Sequence, residues 1–137
     1  MGMRRQAREL ALQLLYQHEL TRMDPEDMQS RFEAWRSAPE SVSTFADELL
    51  RGTLAHLAEI DRELDLQTAH WRLERLAAVD RNILRMALYE ILFHDDTPRA
   101  VVIDEAIEIA KKFGAEESAR FVNGVLDGFV KRITGGT

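Results

Sequence analysis

The sequence contains no cysteine. That absence excludes a disulfide framework, a thiolate zinc site and a cysteine nucleophile, and it fits a reducing cytosol. Proline is scarce, and its three occurrences, Pro25, Pro39 and Pro98, all stand where a helix should begin. No apolar run approaches the ~20 residues of a membrane span. The arginine-bearing start lacks the apolar segment and small-residue cleavage site of a signal peptide, so a cytoplasmic protein is expected. Strand-type alternation, internal repeats and low-complexity segments are missing too. So are the catalytic signatures. The four histidines, His18, His56, His70 and His94, are scattered, and none follows an acidic residue at the three-residue spacing of di-metal bundles. There is no His-Glu-x-x-His, no glycine-rich phosphate loop and no Gly-x-Ser-x-Gly elbow. No enzyme activity, cofactor or metal is expected.

What is present is a chain of 137 residues, 45% hydrophobic and 31% charged. It is long enough to bury a core and short enough for one domain, expected over residues 1–134 with a flexible tail at 135–137. The net charge of −6 argues against a nucleic-acid binder. Its distribution argues otherwise: residues 1–8 carry +3, residues 9–110 carry −11 and residues 111–137 carry +2. Chain termini often lie close together, so one basic patch on an acidic body is a coherent arrangement.

The apolar pattern is helical throughout. A first helix is predicted over Arg4 to Thr21, with Ala7, Leu10, Ala11, Leu14 and Leu15 on one arc and Arg4, Arg5 and Arg8 on its flank, followed along that flank by Leu12 and Tyr16. Asp24 should cap a helix running from Pro25 to about Trp35. Another should start near Ser43 or Thr44 and continue, with a break, to about Leu66; short helical pieces are expected over residues 67–79. Residues 79–93, apolar nearly all round after a polar first turn, read as a helix buried at the centre of a bundle. After Pro98, Ile103, Ala106, Ile107, Ala110 and Phe113 should face the core, and Gly114 should end the helix. Glu116 and Glu117 open a last helix, in which Gly124 and Gly128 are read as a small surface where another helix packs close.

Asp104, Glu105 and Glu108 read as a solvated face paired with Lys111 and Lys112, not as a carboxylate site. The arginines admit two readings, a solvated helix end and a polyanion site. Positive charge in a first turn opposes the helix dipole by a few tenths of a kcal/mol per charge, roughly. Tyr16 on the same flank suits base stacking, and equally suits core packing.

Two stretches then resemble the NusB family of antitermination factors. One is "RRQARELALQLLYQHEL" at 4–20; the other runs from 79 to 127 and contains "LRMALYE", "AIEIAKKFG" and "FVNGVLD" in that order. The resemblance implies an all-α fold of about seven helices in two packed helical subdomains. It implies binding of boxA-type single-stranded RNA together with ribosomal protein S ten (NusE), within a larger complex of other Nus factors and RNA polymerase that sustains transcription of ribosomal RNA operons. Carried over by position, RNA binding falls on Arg4, Arg5, Arg8, Tyr16, Glu117, Arg120 and Phe121, and partner binding on Asp80 and Arg85. Family members often carry Asn where this chain has Asp104. A helical adaptor without RNA specificity and an rRNA-maturation factor are the alternative functions. A homodimer hiding the RNA face would reveal itself as an exposed apolar patch. The three arginines are expected to be replaceable together with folding nearly intact.

Overall fold

The computed structural model describes residues 2–68 and 73–135. Among them are eight α-helices, one 3-10 turn and no strand, divided between two compact units, Met1–Ala55 and His56–Thr137. The all-α expectation therefore holds, with one α-helix more than anticipated.

The first unit is built on α1 (Met3–Thr21) packed against α4 (Glu40–Ala55), with α2 (Pro25–Arg31) beside α1 and α3 (Glu33–Arg36) beside α2. The five residues of the anticipated arc on α1 are all buried, and Arg8 and Leu12 join them. On α4 the buried positions Val42, Phe45, Ala46, Leu49, Leu50 and Thr53 recur at the three- and four-residue steps of one helical stripe. The helix begins at Glu40, earlier than its apolar pattern suggests, because the Pro39 carbonyl already accepts the amides of Val42 and Ser43. Asp24 occupies the N-cap of α2, but its side chain caps nothing; Pro25 and the acidic first turn start that helix. The helix expected to reach Trp35 breaks at Phe32, whose backbone is extended, and no glycine or proline marks the place. Gln29 Nε2 donates to Asp47 Oδ1 at 2.6 Å, tying α2 to α4, and Arg51 of α4 pairs with the same carboxylate at 2.7 Å.

At the end of α1 the amide of Arg22 donates to His18 O at 2.8 Å, with Arg22 in the left-handed region at φ 60°. A side chain with a Cβ sits there at a steric cost that glycine avoids.

The second unit comprises α5 (Leu57–Gln67), the 3-10 turn Leu73–Arg75, α6 (Ala78–Phe93), α7 (Arg99–Phe113) and α8 (Ser118–Ile133). Helix α6 packs against α5, α7 and α8, and it is buried from Arg81 to Ile91 except at half-buried Arg85. The central-helix expectation is met. Two of its buried polar side chains find backbone partners: Arg81 Nη1 donates to Leu76 O at 2.6 Å and to Leu73 O at 3.3 Å, and Asn82 Nδ2 donates to Ala78 O at 2.9 Å. The short helical pieces expected over 67–79 appear as that 3-10 turn; residues 69–72, with His70, lie outside the described residues.

On α7 the deepest residues are Val102, Ala106, Ile109 and Ala110, while Ile103, Ile107 and Phe113 are half-buried. The helix contacts both α6 and α8, so the seam between two neighbours, and not the centre of its own apolar arc, sets the buried line. Gly114 ends α7 with extended backbone at φ −93°, and a Cβ there would stand 2.5 Å from Ser118 Oγ. Space beside Ser118, not a left-handed turn, requires this glycine. Of the two glycines read as a packing surface, Gly128 lies against α5, where a Cβ would meet Gln67 Nε2 at 2.6 Å; Gly124 faces open space.

Two outcomes follow from this packing. Leu84→Ala on fully buried α6 should lower unfolding stability by about 2–5 kcal/mol in urea titrations followed by circular dichroism. Burial, reinforced by repulsion from Arg22 and opposed by Asp24, holds the His18 imidazole below its ordinary 6.5. The folded state then binds this proton more weakly than the unfolded chain, so protonation favours unfolding. Stability is undiminished above pH 6.5 and falls as pH drops through 6.5 toward the lowered folded value. His18→Gln should flatten that part of the acid slope in urea midpoints measured across this window.

Candidate nucleic-acid interface

Arg4, Arg5 and Arg8 occupy the first two turns of α1, where the peptide dipoles disfavour positive charge. No acidic residue stands in the first turn, and the N-cap, Gly2, supplies no side-chain hydrogen bond. Relief comes from α4. The Arg4 guanidinium carbon lies 4.3 Å from the centroid of the Phe45 ring and that of Arg8 lies 5.4 Å away, both within cation–π range.

The three arginines are not equivalent. Arg4 is exposed, Arg5 is half-buried and Arg8 is only 3% exposed. Arg8 therefore works largely as an interior side chain, its stem packed and its charge set over an aromatic ring. This burial weighs against the expectation that all three could be replaced with folding nearly intact. Tyr16, 40% exposed, lies on nearly the same helical line as Arg5, about 16 Å further along the axis. The first unit thus presents a line of α1 that starts in cationic groups and ends in an accessible aromatic ring.

The second set falls in the other unit. Glu117 holds the N-cap position of α8 and is exposed, Arg120 is exposed in the first turn, and Phe121 is half-buried one residue on. The Glu117 carbonyl accepts the Phe121 amide at 3.1 Å, so these residues share the opening turn of one helix. The acidic charge of Glu117 suits that end of the dipole, whereas Arg120 opposes it.

The two residues assigned to a partner stand five residues apart on α6, about 1.4 turns. Asp80 is half-buried in the first turn, and its Oδ1 is buried with no hydrogen-bond partner among the described residues. Arg85 reaches across to α5: its Nε donates to Asp61 Oδ1 at 2.8 Å and its Nη2 to Asp61 Oδ2 at 2.9 Å, with a further contact to Asn82 Oδ1 at 3.3 Å. Such a bidentate pair braces α5 against α6. Nothing in the sequence pattern singles out Asp61, 24 residues away, or the role of Phe45. Both partnerships are made between helices, and periodicity within a single helix carries no sign of them.

Among the described residues, no group of three or more His, Asp or Glu side chains is placed to hold a metal ion. No helix among them is long and apolar enough to cross a membrane.

Comparison with known proteins places this geometry in context. A sequence model described as the NusB family matches residues 5–131. Transcription antitermination protein NusB of Desulfitobacterium hafniense (strain DSM 10664 / DCB-2) is 49% identical over 133 residues, covering 95% of this chain and 89% of that protein. The protein of the same name from Geobacter sulfurreducens is 46% identical over 129 residues, 93% of each chain. Among solved structures, T. maritima NusB superposes with a TM-score of 0.84 at 41% identity, over 93% of this chain and 90% of that one. A chain from a crystal structure of antitermination factors NusB and NusE in complex with dsRNA gives a TM-score of 0.86 at 27% identity, over 96% of this chain and 98% of its own. Matched from Arg5 to Lys131, and sharing nearly half its residues with relatives of full length, the chain belongs to the NusB family of transcription antitermination factors, which is not a family of enzymes.

Proposed function

We propose that this protein binds boxA-type RNA together with ribosomal protein S ten (NusE), joins other Nus factors on cytoplasmic RNA polymerase, and promotes processive transcription of ribosomal RNA operons. The observation that carries this reading is the likeness, over 96% of the chain, to a NusB solved in complex with NusE and RNA. The charge layout supports it. An acidic body repels nucleic acid in general, and the arginine-bearing start of α1 attracts it at one place.

The chemistry divides into attachment and choice. Arg4 and Arg5, the two arginines with accessible surface, supply phosphate contacts, with Arg8 held deeper behind them. Tyr16 supplies a stacking face on which an unpaired base rests. Arg120 and Phe121 repeat the same pairing of cation and ring on the opening turn of α8. So few charges make a weak site, and a partner bringing its own RNA surface raises the affinity; by linkage, RNA tightens the protein pair equally. The acidic stretch between residues 9 and 110 suits a basic ribosomal protein, with complementarity acting mainly on the association rate. Asp80 and Arg85 on α6 mark the surface offered to that partner.

Fluorescence anisotropy with labelled boxA RNA and a scrambled strand, each with and without NusE, tests the reading. A preference for boxA that appears or strengthens with NusE is expected, and equal binding of the scrambled strand in its presence would overturn the assignment. Two to three phosphate contacts predict a log–log salt slope of about −1.4 to −2.1 for the protein without its partner. Replacing Arg4 and Arg5 together by alanine should weaken binding while shifting unfolding stability by no more than about 0.5 kcal/mol. Arg8→Ala, at a buried position, should also lower stability, by about 1–2 kcal/mol in urea titrations.

A further inference from the structure

Arg4 and Arg8 stand four residues apart on α1, a spacing at which like charges on a helix face repel. Both lie at the helix end that the dipole makes unfavourable for cations. A flexible arginine under those two repulsions would swing away from its neighbour and lose its order. Instead both guanidinium groups converge on one ring, that of Phe45, at 4.3 Å and 5.4 Å from its centroid. Phe45 is itself buried in the stripe by which α4 packs on α1. The ring is fixed by the core, and the two guanidinium groups lie over it.

We propose that Phe45 is a positioning residue for RNA binding: its ring face pre-orders Arg4, and behind it Arg8, for a phosphate contact. The proposal rests on the assignment of the α1 arginines to RNA given above. Its physical basis is the cost of ordering. A free arginine side chain must surrender its rotamer freedom when it grips a phosphate, whereas one already held over a ring has surrendered it on folding. An aromatic ring engages the flat face of a guanidinium, and the in-plane N–H donors remain the groups that suit phosphate oxygens. The electron-rich ring face also lowers the mutual repulsion of the two cations.

The test measures binding of a short fluorescein-labelled boxA RNA to the full chain with NusE bound, by anisotropy. Replacing Phe45 site-specifically by a ring-fluorinated phenylalanine withdraws charge from the ring face with little change in shape. Affinity should fall by about two- to fivefold, the size of a cation–π contact at an exposed site. Phe45→Tyr should stay within about twofold of the parent, since its ring face binds cations comparably. The fluorinated chain in an Arg4→Ala background supplies the readout that a merely structural role would not move. If Phe45 acts through Arg4, the fluorination effect shrinks there; an effect of equal size in both backgrounds overturns the proposal. Unchanged affinity on fluorination overturns it as well, provided Arg4→Ala alone weakens binding. If Arg4→Ala leaves RNA binding untouched, the assignment of the α1 edge to RNA fails, and the proposal fails with it. Urea melts of each variant confirm that the comparison is made between folded proteins.

Discussion

Positive charge at the beginning of an α-helix works against the peptide dipoles, and the first unit is organised around that conflict. Three arginines enter α1 within six residues of its start, with no acidic residue in the first turn. An aromatic ring contributed by α4 helps to meet the conflict, and the pairing of those two helices is the principal packing of the unit. That contact supports a basic edge on an acidic protein, in which Arg4 is exposed, Arg5 half-buried and Arg8 interior.

The second unit meets a different constraint. Helix α6 is enclosed by three helices, yet its sequence carries Arg81, Asn82 and Glu90 at buried positions. Burying such groups without partners costs more than most apolar contacts return. Arg81 answers by gathering carbonyls of the segment just before the helix, so a charged side chain sets the shape of the 3-10 turn that precedes it. Arg85 answers through the bidentate pair with Asp61. These are also the residues beside Asp80, whose buried carboxylate oxygen has no hydrogen-bond partner among the described residues. The polar interior of α6 and the residues proposed for a protein partner are thus parts of one stretch of helix.

Several features are legible in the amino-acid pattern itself. The period of the apolar residues marks α1, α4, α6, α7 and α8, and the prolines mark where α2, α4 and α7 begin. The buried arc of α1 is readable because α1 meets α4 along one face, where a helical wheel alone suffices. The wheel misjudges α7, which lies against two neighbours, so that Val102 and Ile109 go deeper than Ile103 and Ile107. The interruption at Phe32 leaves no trace in composition, and the two glycines of α8 look alike although only Gly128 lies against a neighbouring side chain.

The sequence by itself determined the all-helical class, the central burial of α6 and the family, because periodicity and ordered motifs are local properties of a chain. It also placed the cations, since charge is counted residue by residue. Only the tertiary structure decided what each cation does. Arg8 became interior, Arg4 was set over Phe45, and Arg85 was bound to Asp61, because those outcomes depend on partners 24 or more residues away. Helical spacing describes one helix at a time, and a site made where two helices meet is settled by which faces they turn toward each other.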